Sequence, residues 1–183
     1  MTNIGIRMDN RQSLYLSKEL ELKLRTFFKI KGKTLIIGLG NIYRNDDGAG
    51  MAAILYLKKE IVTKINDIEL IEAERRLIKF VHLIEGINPS KILFIDAFDF
   101  GLKPGTVKIL YEEQILEYEL STHTNNLNLF IAYLRIKIPH CKVLFVGIQL
   151  GSLDMTDEIM LTDEIKRGVE KIVKTIVKIL KSN

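Results

Sequence analysis

The sequence has a single cysteine, Cys141, so it can form no disulfide within the chain and no metal site built from several cysteines. It contains no uninterrupted run of about 18 apolar residues, the length that a transmembrane helix requires. Its first residues also lack the apolar block of a secretory signal peptide. These absences predict a cytoplasmic protein that does not insert into a membrane.

Excess positive charge is confined to the two ends of the chain. Residues 1–33 carry eight Lys and Arg against three Asp and Glu, and residues 164–183 carry six against two. Residues 34–163 carry 13 basic and 18 acidic side chains. A nucleic-acid-binding site is expected to lie in a positive field, whereas the motifs described below lie in the acidic part. The charge distribution therefore argues against nucleic acid as a partner.

Strand-like and helix-like segments alternate along the chain. Its 183 residues, 47% of them hydrophobic, can bury one core. Short apolar runs predict strands at residues 34–39, 67–72, 91–96, 105–110 and 142–148. Periodicity and end signals predict helices at residues 46–61, 77–84, 127–135 and 163–180. This alternation predicts an α/β fold: a single-domain three-layer sandwich with a mostly parallel twisted sheet and helices on both faces.

The segment before the first predicted strand has a different character. Residues 1–32 are basic, with a helical pattern from about Ser17 to Phe28, and contain no motif with recognisable chemistry. We therefore predict a basic, helical N-terminal extension at residues 1–32, followed by one domain at residues 33–183.

The first motif, GLGNIYRNDDGAG at residues 38–50, connects a predicted strand to a predicted helix. A dinucleotide-binding loop would need a glycine at position 43, where the sequence has Tyr43, and the carboxylates of Asp46 and Asp47 would repel a pyrophosphate. One of these acids could serve only as the helix N-cap. Because capping requires one acid, two adjacent acids in a glycine-rich loop favour a functional role.

A second acidic motif, DAFDFGLKPG, covers residues 96–105. Asp96 ends an apolar run, and a carboxylate that is partly desolvated there must be protonated, paired or bound to a cation. Asp99 and the Pro104–Gly105 pair are typical of turns. Ligands of such sheets bind beyond the carboxyl ends of the strands, which makes Asp96 a candidate site residue.

A third motif, STHTNN at residues 121–126, contains His123 and precedes a predicted helix. We interpret the other histidines as structural, since His82 lies within a helical pattern and His140 follows a proline. Two carboxylates and one imidazole would make a ligand set suited to a borderline metal such as nickel or zinc. The spacing of the three motifs does not itself show that they converge.

Taken in order, the strings GLGNIYRNDDGAG, DAFDFGLKPGTVKIL, STHTNNLNLF and VGIQ resemble the nickel-iron hydrogenase maturation endopeptidases. The similarity is greatest to the branch that serves formate-hydrogenlyase-type hydrogenases, and it covers about residues 34–180. It implies that residues 33–183 form a hydrolase domain that removes the C-terminal extension of a hydrogenase large-subunit precursor after nickel insertion. The precursor would be the partner and would bring the nickel, and no organic cofactor is implied.

The resemblance also implies roles for individual residues. Asp47, Asp96 and His123 would contact the metal and carry the catalysis, and Gly40 and Asn41 would shape the substrate-binding loop. The sequence departs from the family near residues 72–77, where relatives have a glycine-rich stretch with Pro-Glu and this chain reads EAERRL. That departure bears on which precursor is recognised more than on the metal site.

Two other functions are alternatives at this point. A peptidyl-tRNA hydrolase also has a strand followed by GLGN, but that family continues with Pro-Gly, where this chain has Ile42 and Tyr43. The acidic middle of the chain is also unsuited to tRNA. A hydrogenase metal chaperone would dock on the same precursor without cleaving it, although the presence of all three candidate ligands argues against this.

Overall fold

The computed structural model describes residues 10–61, 67–74, 76–117, 124–158 and 160–182. The strands are β1 (Thr34–Leu39), β2 (Ile68–Glu74), β3 (Lys91–Phe98), β4 (Val107–Leu110) and β5 (Lys142–Gln149). The helices are α1 (Asn10–Phe28), α2 (Ala49–Glu60), α3 (Val81–Ile87), α4 (Glu112–Glu117), α5 (Thr124–Lys137) and α6 (Asp163–Leu180). Short 3₁₀ turns at Asn45–Gly48 and Leu77–Phe80 precede α2 and α3.

The five strands form one sheet in the order β2-β1-β3-β5-β4. Its first four strands are parallel, and only β4, at one edge, runs antiparallel to its neighbour β5. Strands β1 and β3 are buried along their whole length, which explains why both read as continuous apolar runs. The predicted mostly parallel sheet is confirmed.

Alternate residues of the strands build a core on each face of the sheet. On one face, Leu93 and Ile95 of β3 join a core with α1, α2 and α6. On the other face, Phe94 stacks on Phe145 of β5 at 4.9 Å between ring centroids and meets Phe130 of α5 edge-on at 6.1 Å. Helices therefore cover both faces, as the sequence predicted.

Helix α1 belongs to the first of these cores. Its buried side chains are Leu20, Leu24, Phe27 and Phe28. The helix ends at Phe28, as predicted, but begins at Asn10, several residues before the predicted start near Ser17. Beyond its end, the buried Lys91 side chain donates hydrogen bonds to the carbonyl oxygens of Ile30 and Gly32. Burial lowers the pKa of Lys91, and its contacts fix the α1–β1 connection at the amino end of β3.

The structure contains one helix that was not predicted, and the bounds of several other elements differ from the prediction. Helix α4 was not predicted, because its six residues are too few to show a helical period. Residues 46–48 were predicted to begin a long helix, but they lie in the 3₁₀ turn, and α2 itself starts at Ala49. Among the described residues, the structure contains no helix with the length and apolar character needed to cross a membrane.

Candidate functional site

The loop after β1 turns sharply at Gly40. This residue has a φ of +129°, and an added Cβ would lie only 1.9 Å from the carbonyl oxygen of Asp47. The same oxygen accepts a hydrogen bond from the backbone N–H of Asn41, 3.2 Å away. The loop can therefore fold back on itself only with glycine at position 40, and this brings Asp47 beside the end of β1.

Asn41 organises the rest of this loop. Its side-chain oxygen accepts a hydrogen bond from the Tyr43 N–H at 3.1 Å, and its carbonyl oxygen accepts one from the Arg44 N–H at 3.1 Å. The carbonyl oxygen of Arg44 in turn accepts a hydrogen bond from the Asp47 N–H at 3.0 Å. Asn41 thus shapes the backbone that carries Asp47, and its role in substrate binding stays a prediction.

The start of α2 rests directly on two strands. An added Cβ at Gly50 would lie 2.2 Å from the carbonyl oxygen of Ile95 in β3 and 2.3 Å from that of Leu39 in β1. No side chain larger than hydrogen fits between the helix and the sheet at this point. The turn that precedes α2, with Asp47, is therefore held at the carboxyl ends of β1 and β3.

Asp96 lies near the carboxyl end of β3 and is buried, with 1% of its surface exposed. Its Oδ1 accepts a hydrogen bond from the Ala97 N–H at 2.8 Å. Because side chains alternate along a strand, Asp96 shares the α5 face of the sheet with Phe94 and Phe98. Asp47 is also buried, with 4% exposed. Both candidate acids are therefore buried towards the carboxyl end of the sheet, Asp47 in the turn after β1 and Asp96 within the neighbouring strand β3.

The third candidate, His123, lies outside the described residues. The helix α5 begins directly after it, at Thr124, and ends close to the start of β5, where the Cys141 N–H bonds the Ile138 carbonyl oxygen at 3.0 Å. Since α5 runs back along the sheet, Thr124 lies towards the edge that carries Asp47 and Asp96. Within the described ranges, no three His, Cys, Asp or Glu side chains are grouped as metal ligands would be. The predicted ligand set stays a prediction.

The other two histidines are exposed. His82 lies in α3, where its Nδ1 is 3.3 Å from a carboxylate oxygen of Glu85. His140 lies in the turn before β5. The structural interpretation of both histidines stays a prediction.

Gln149, the last residue of the string VGIQ, is buried, and the sequence indicated no role for it. Its Oε1 accepts hydrogen bonds from the N–H groups of Phe100 at 2.6 Å and Leu102 at 3.1 Å, and its Nε2 donates to Asp99 at 3.1 Å. The hydrogen bond from Gln149, followed by one from the Gly101 N–H, lowers the pKa of Asp99. Gln149 thus shapes the loop after β3. The signal that could have identified it was a polar residue ending an apolar strand.

The carboxylate of Asp46, the residue before Asp47, bonds to a part of the chain more than 100 residues away. The carboxylate of Asp46 is fully buried and accepts hydrogen bonds from the N–H groups of Ser152 at 2.6 Å and Thr162 at 2.7 Å. The N-cap of α2 is Gly48, and no side chain caps the helix. The alternative in which one of these acids serves only as the N-cap is therefore wrong.

Comparisons with known proteins point to one family. Residues 52–179 match the family model described as HycI, hydrogenase maturation protease. Over 154 residues the chain is 30% identical to a putative hydrogenase maturation protease of Methanocaldococcus jannaschii, covering 81% of this chain and 88% of that protein. It is 32% identical over 116 residues to the hydrogenase 3 maturation protease of Escherichia coli K12, covering 63% and 71%. The crystal structure of a NiFe hydrogenase maturation protease HycI from Thermococcus kodakarensis aligns with a TM-score of 0.76 at 27% identity, covering 87% of this chain and 99% of that one.

Proposed function

This chain belongs to the hydrogenase maturation protease family and is an endopeptidase that processes a hydrogenase precursor, and from this premise we propose that it removes the C-terminal extension of a nickel-iron hydrogenase large-subunit precursor after nickel insertion. The observation that supports this most is the pair of buried acids towards the carboxyl ends of adjacent parallel strands, Asp47 in the turn after β1 and Asp96 near the end of β3. The proposal places the reaction in the cytoplasm. Because the family consists of proteases, neither a peptidyl-tRNA hydrolase nor a non-cleaving chaperone is proposed.

In this proposal, Asp47, Asp96 and His123 contact the nickel that the precursor carries. Carboxylates with little exposed surface bind a cation more strongly than the same groups in bulk water, because fewer water dipoles screen the charge. The two aspartates and one imidazole supply oxygen and nitrogen ligands, a set that a borderline divalent metal accepts. Gly40 and Asn41 would keep the Asp47 loop in the shape that receives the substrate.

The nickel belongs to the substrate in this proposal. Cys141 is the only cysteine of the chain; it is fully buried just before β5, and burial raises the pKa of its thiol to about 11. A protonated, buried thiol is not a metal ligand at neutral pH. The protease thus offers no thiolate, and two carboxylates with one imidazole would hold free nickel weakly. Thiolate ligands would come from the precursor, so nickel and precursor would arrive together.

Peptide hydrolysis at this site requires a water molecule to attack the scissile carbonyl carbon. The attacking oxygen loses a proton, the C–N bond breaks, and the new amine on the C-terminal fragment gains a proton. A carboxylate of Asp47 or Asp96 would serve as the base that accepts the water proton. The substrate nickel, held beside the scissile bond, would orient the precursor and polarise the water.

Substitution of the candidate ligands tests this assignment. We expect Asp47→Asn, Asp96→Asn and His123→Ala each to lower kcat/KM for cleavage of a nickel-loaded precursor by at least about 100-fold. The asparagine variants lose a negative charge and a base, and the alanine variant loses the imidazole. The measurement is mass spectrometry of the precursor before and after mixing. The exposed histidine variants His82→Ala and His140→Ala are the controls and should cleave normally. Normal cleavage by the His123 variant would remove that residue from the site.

The origin of the metal is tested separately. We expect the purified protease to contain far less than one nickel per chain and to cleave a nickel-loaded precursor but not a matched nickel-free one, because the empty precursor has no metal to bridge the two proteins. Metal analysis of the free protease and mass spectrometry of both precursors measure this. Equal cleavage of the two precursors, or a tightly bound metal whose removal by a chelator stops cleavage, would indicate an ordinary metalloprotease.

A further inference from the structure

The carboxylate of Asp46 joins the 3₁₀ turn before α2, which also carries Asp47, to a segment more than 100 residues later in the chain. Its Oδ2 accepts hydrogen bonds from the Ser152 N–H at 2.6 Å and the Thr162 hydroxyl at 3.1 Å, and its Oδ1 accepts one from the Thr162 N–H at 2.7 Å. The backbone N–H of Asp46 also donates to the Ser152 carbonyl oxygen at 3.2 Å. The β5–α6 segment comprises residues 150–162, so one side chain bonds Ser152 near its start and Thr162 at its end.

The side chain of Thr162 bonds to Asp46 and does not cap the helix α6. Thr162 occupies the N-cap position of α6, where a threonine hydroxyl usually accepts a hydrogen bond from the first turn. Here the side chain makes no capping bond, and the hydroxyl donates to Asp46 instead. The structure thus uses the hydroxyl to hold the segment against the loop that carries Asp47.

The closed β5–α6 segment also contacts that loop at its middle. The Thr156 N–H donates to the Tyr43 carbonyl oxygen at 3.0 Å. Exposed apolar side chains lie on both partners, Tyr43 on the loop and Leu153, Met155 and Met160 on the segment. These exposed side chains therefore lie on the two parts of the chain that Asp46 joins.

We propose that Asp46 is a positioning residue for the protease site: its buried carboxylate locks the β5–α6 segment to the 3₁₀ turn and thereby fixes the direction of the adjacent Asp47 side chain. Adjacent residues of a tight turn share one backbone, so a rotation that released Asp46 from Ser152 and Thr162 would also turn Asp47. Such a displacement of a catalytic group by about 1 Å can cost about 100-fold in rate. This inference rests on the proposed function.

The substitution Asp46→Asn tests the positioning role with almost no change in volume. Both carboxylate oxygens face backbone N–H groups, so an amide must direct its own NH₂ group at the N–H of Ser152 or of Thr162. We expect kcat for precursor cleavage to fall at least about tenfold, with a smaller rise in KM, and hydrogen exchange of the Ser152 and Thr162 amides to accelerate. The matched control is Asp99→Asn, which should leave kcat and KM unchanged. One oxygen of Asp99 accepts both of its hydrogen bonds, and the amide oxygen of asparagine can accept them instead.

A pair of milder variants keeps the test decisive if Asp46→Asn does not fold. Thr162→Val removes the hydroxyl that bonds Asp46 and should lower kcat by an intermediate factor, whereas Thr162→Ser keeps the hydroxyl and should restore wild-type kinetics and exchange. Unchanged kcat and KM in folded Asp46 and Thr162 variants, with the wild type active, would overturn the positioning role alone. Failure of the wild-type protein to cleave any nickel-loaded precursor would overturn the proposed function, while the exchange measurements would still report whether Asp46 holds the segment.

Discussion

At the residue scale, Gly40 has a backbone conformation that disfavours every other amino acid. Its φ of +129° and the 1.9 Å approach of an added Cβ to the Asp47 carbonyl oxygen both disfavour a side chain. We expect Gly40→Ala to destabilise the fold by about 2 kcal/mol or more. Chemical denaturation of the purified variant measures this.

The matched control for that substitution is Gly86→Ala. Gly86 lies inside α3, and an added Cβ would meet nothing within 4 Å. Alanine is a better helix former than glycine, so this variant should be more stable by up to about 1 kcal/mol. Equal stability of the Gly40 and Gly86 variants would mean that the loop after β1 tolerates rearrangement.

Also at this scale, the residue pattern alone did not separate the roles of the adjacent acids Asp46 and Asp47. Only the family resemblance selected Asp47 as the candidate ligand, and that choice stays a prediction. The partners of Asp46 are Ser152 and Thr162, which are polar residues of an irregular segment with no periodic signal. Only the tertiary structure brings these positions together.

At the scale of elements, α1 packs as part of the first core and is not a loosely attached extension. Leu24 has no exposed surface, whereas Leu22, two residues earlier, is 67% exposed. We expect Leu24→Ala to lower the free energy of unfolding by about 2–5 kcal/mol. The control Leu22→Ala should change it by no more than about 0.5 kcal/mol. Similar effects of the two variants in denaturant titrations would show that α1 does not dock as described.

Elements with long, regular patterns were predicted best. The bounds of α6 are those expected from its apolar stripe, Asp163–Leu180, and β1 also matches. Strand β4 is shorter than predicted because the residues before Val107 form the turn around Gly105, whose φ is positive. Short elements leave too few residues for a period to show, so their bounds depend on contacts that the sequence does not display.

At the scale of the whole molecule, the central sheet contributes to both cores, so we expect them to unfold together. The reactivity of Cys141 measures this, because the residue is buried in the core between the sheet and α5. At pH 8, thiol reagents should label folded protein at least about 100-fold more slowly than denatured protein, since burial raises the pKa of Cys141 from 9.0 to about 11. Rapid labelling of a chain with a native circular dichroism spectrum would mean that the α5 face opens alone.

The raised pKa of Cys141 also predicts how the free energy of unfolding depends on pH in alkaline solution. Between about pH 9 and 11, an unfolded chain loses the thiol proton while the folded chain keeps it. The unfolded state then binds fewer protons, so the contribution of Cys141 to stability falls as pH rises through this range. Comparing denaturation midpoints of the wild type and Cys141→Ala across these pH values isolates the effect. A constant difference between the two proteins would contradict the raised pKa.

The fold as a whole could be predicted because alternating strands and helices allow few architectures. The strand ends also predicted the edge at which Asp47 and Asp96 lie, since ligands of parallel sheets bind at the carboxyl ends. The contacts within that edge could not be predicted. They depend on how closely Gly50 lets α2 approach the sheet and on buried side chains such as Gln149, which act through tertiary hydrogen bonds.

The close backbone packing at Gly38, Gly40 and Gly50 has a consequence for the entropy of association. An added Cβ at Gly38 would lie 2.4 Å from the Gly50 carbonyl oxygen, so sheet, turn and helix leave each other almost no room to move. The turn with Asp47 is therefore already ordered before a partner arrives. When a precursor binds, we expect the lost conformational freedom to come mainly from the precursor's own tail and hardly at all from this part of the protease.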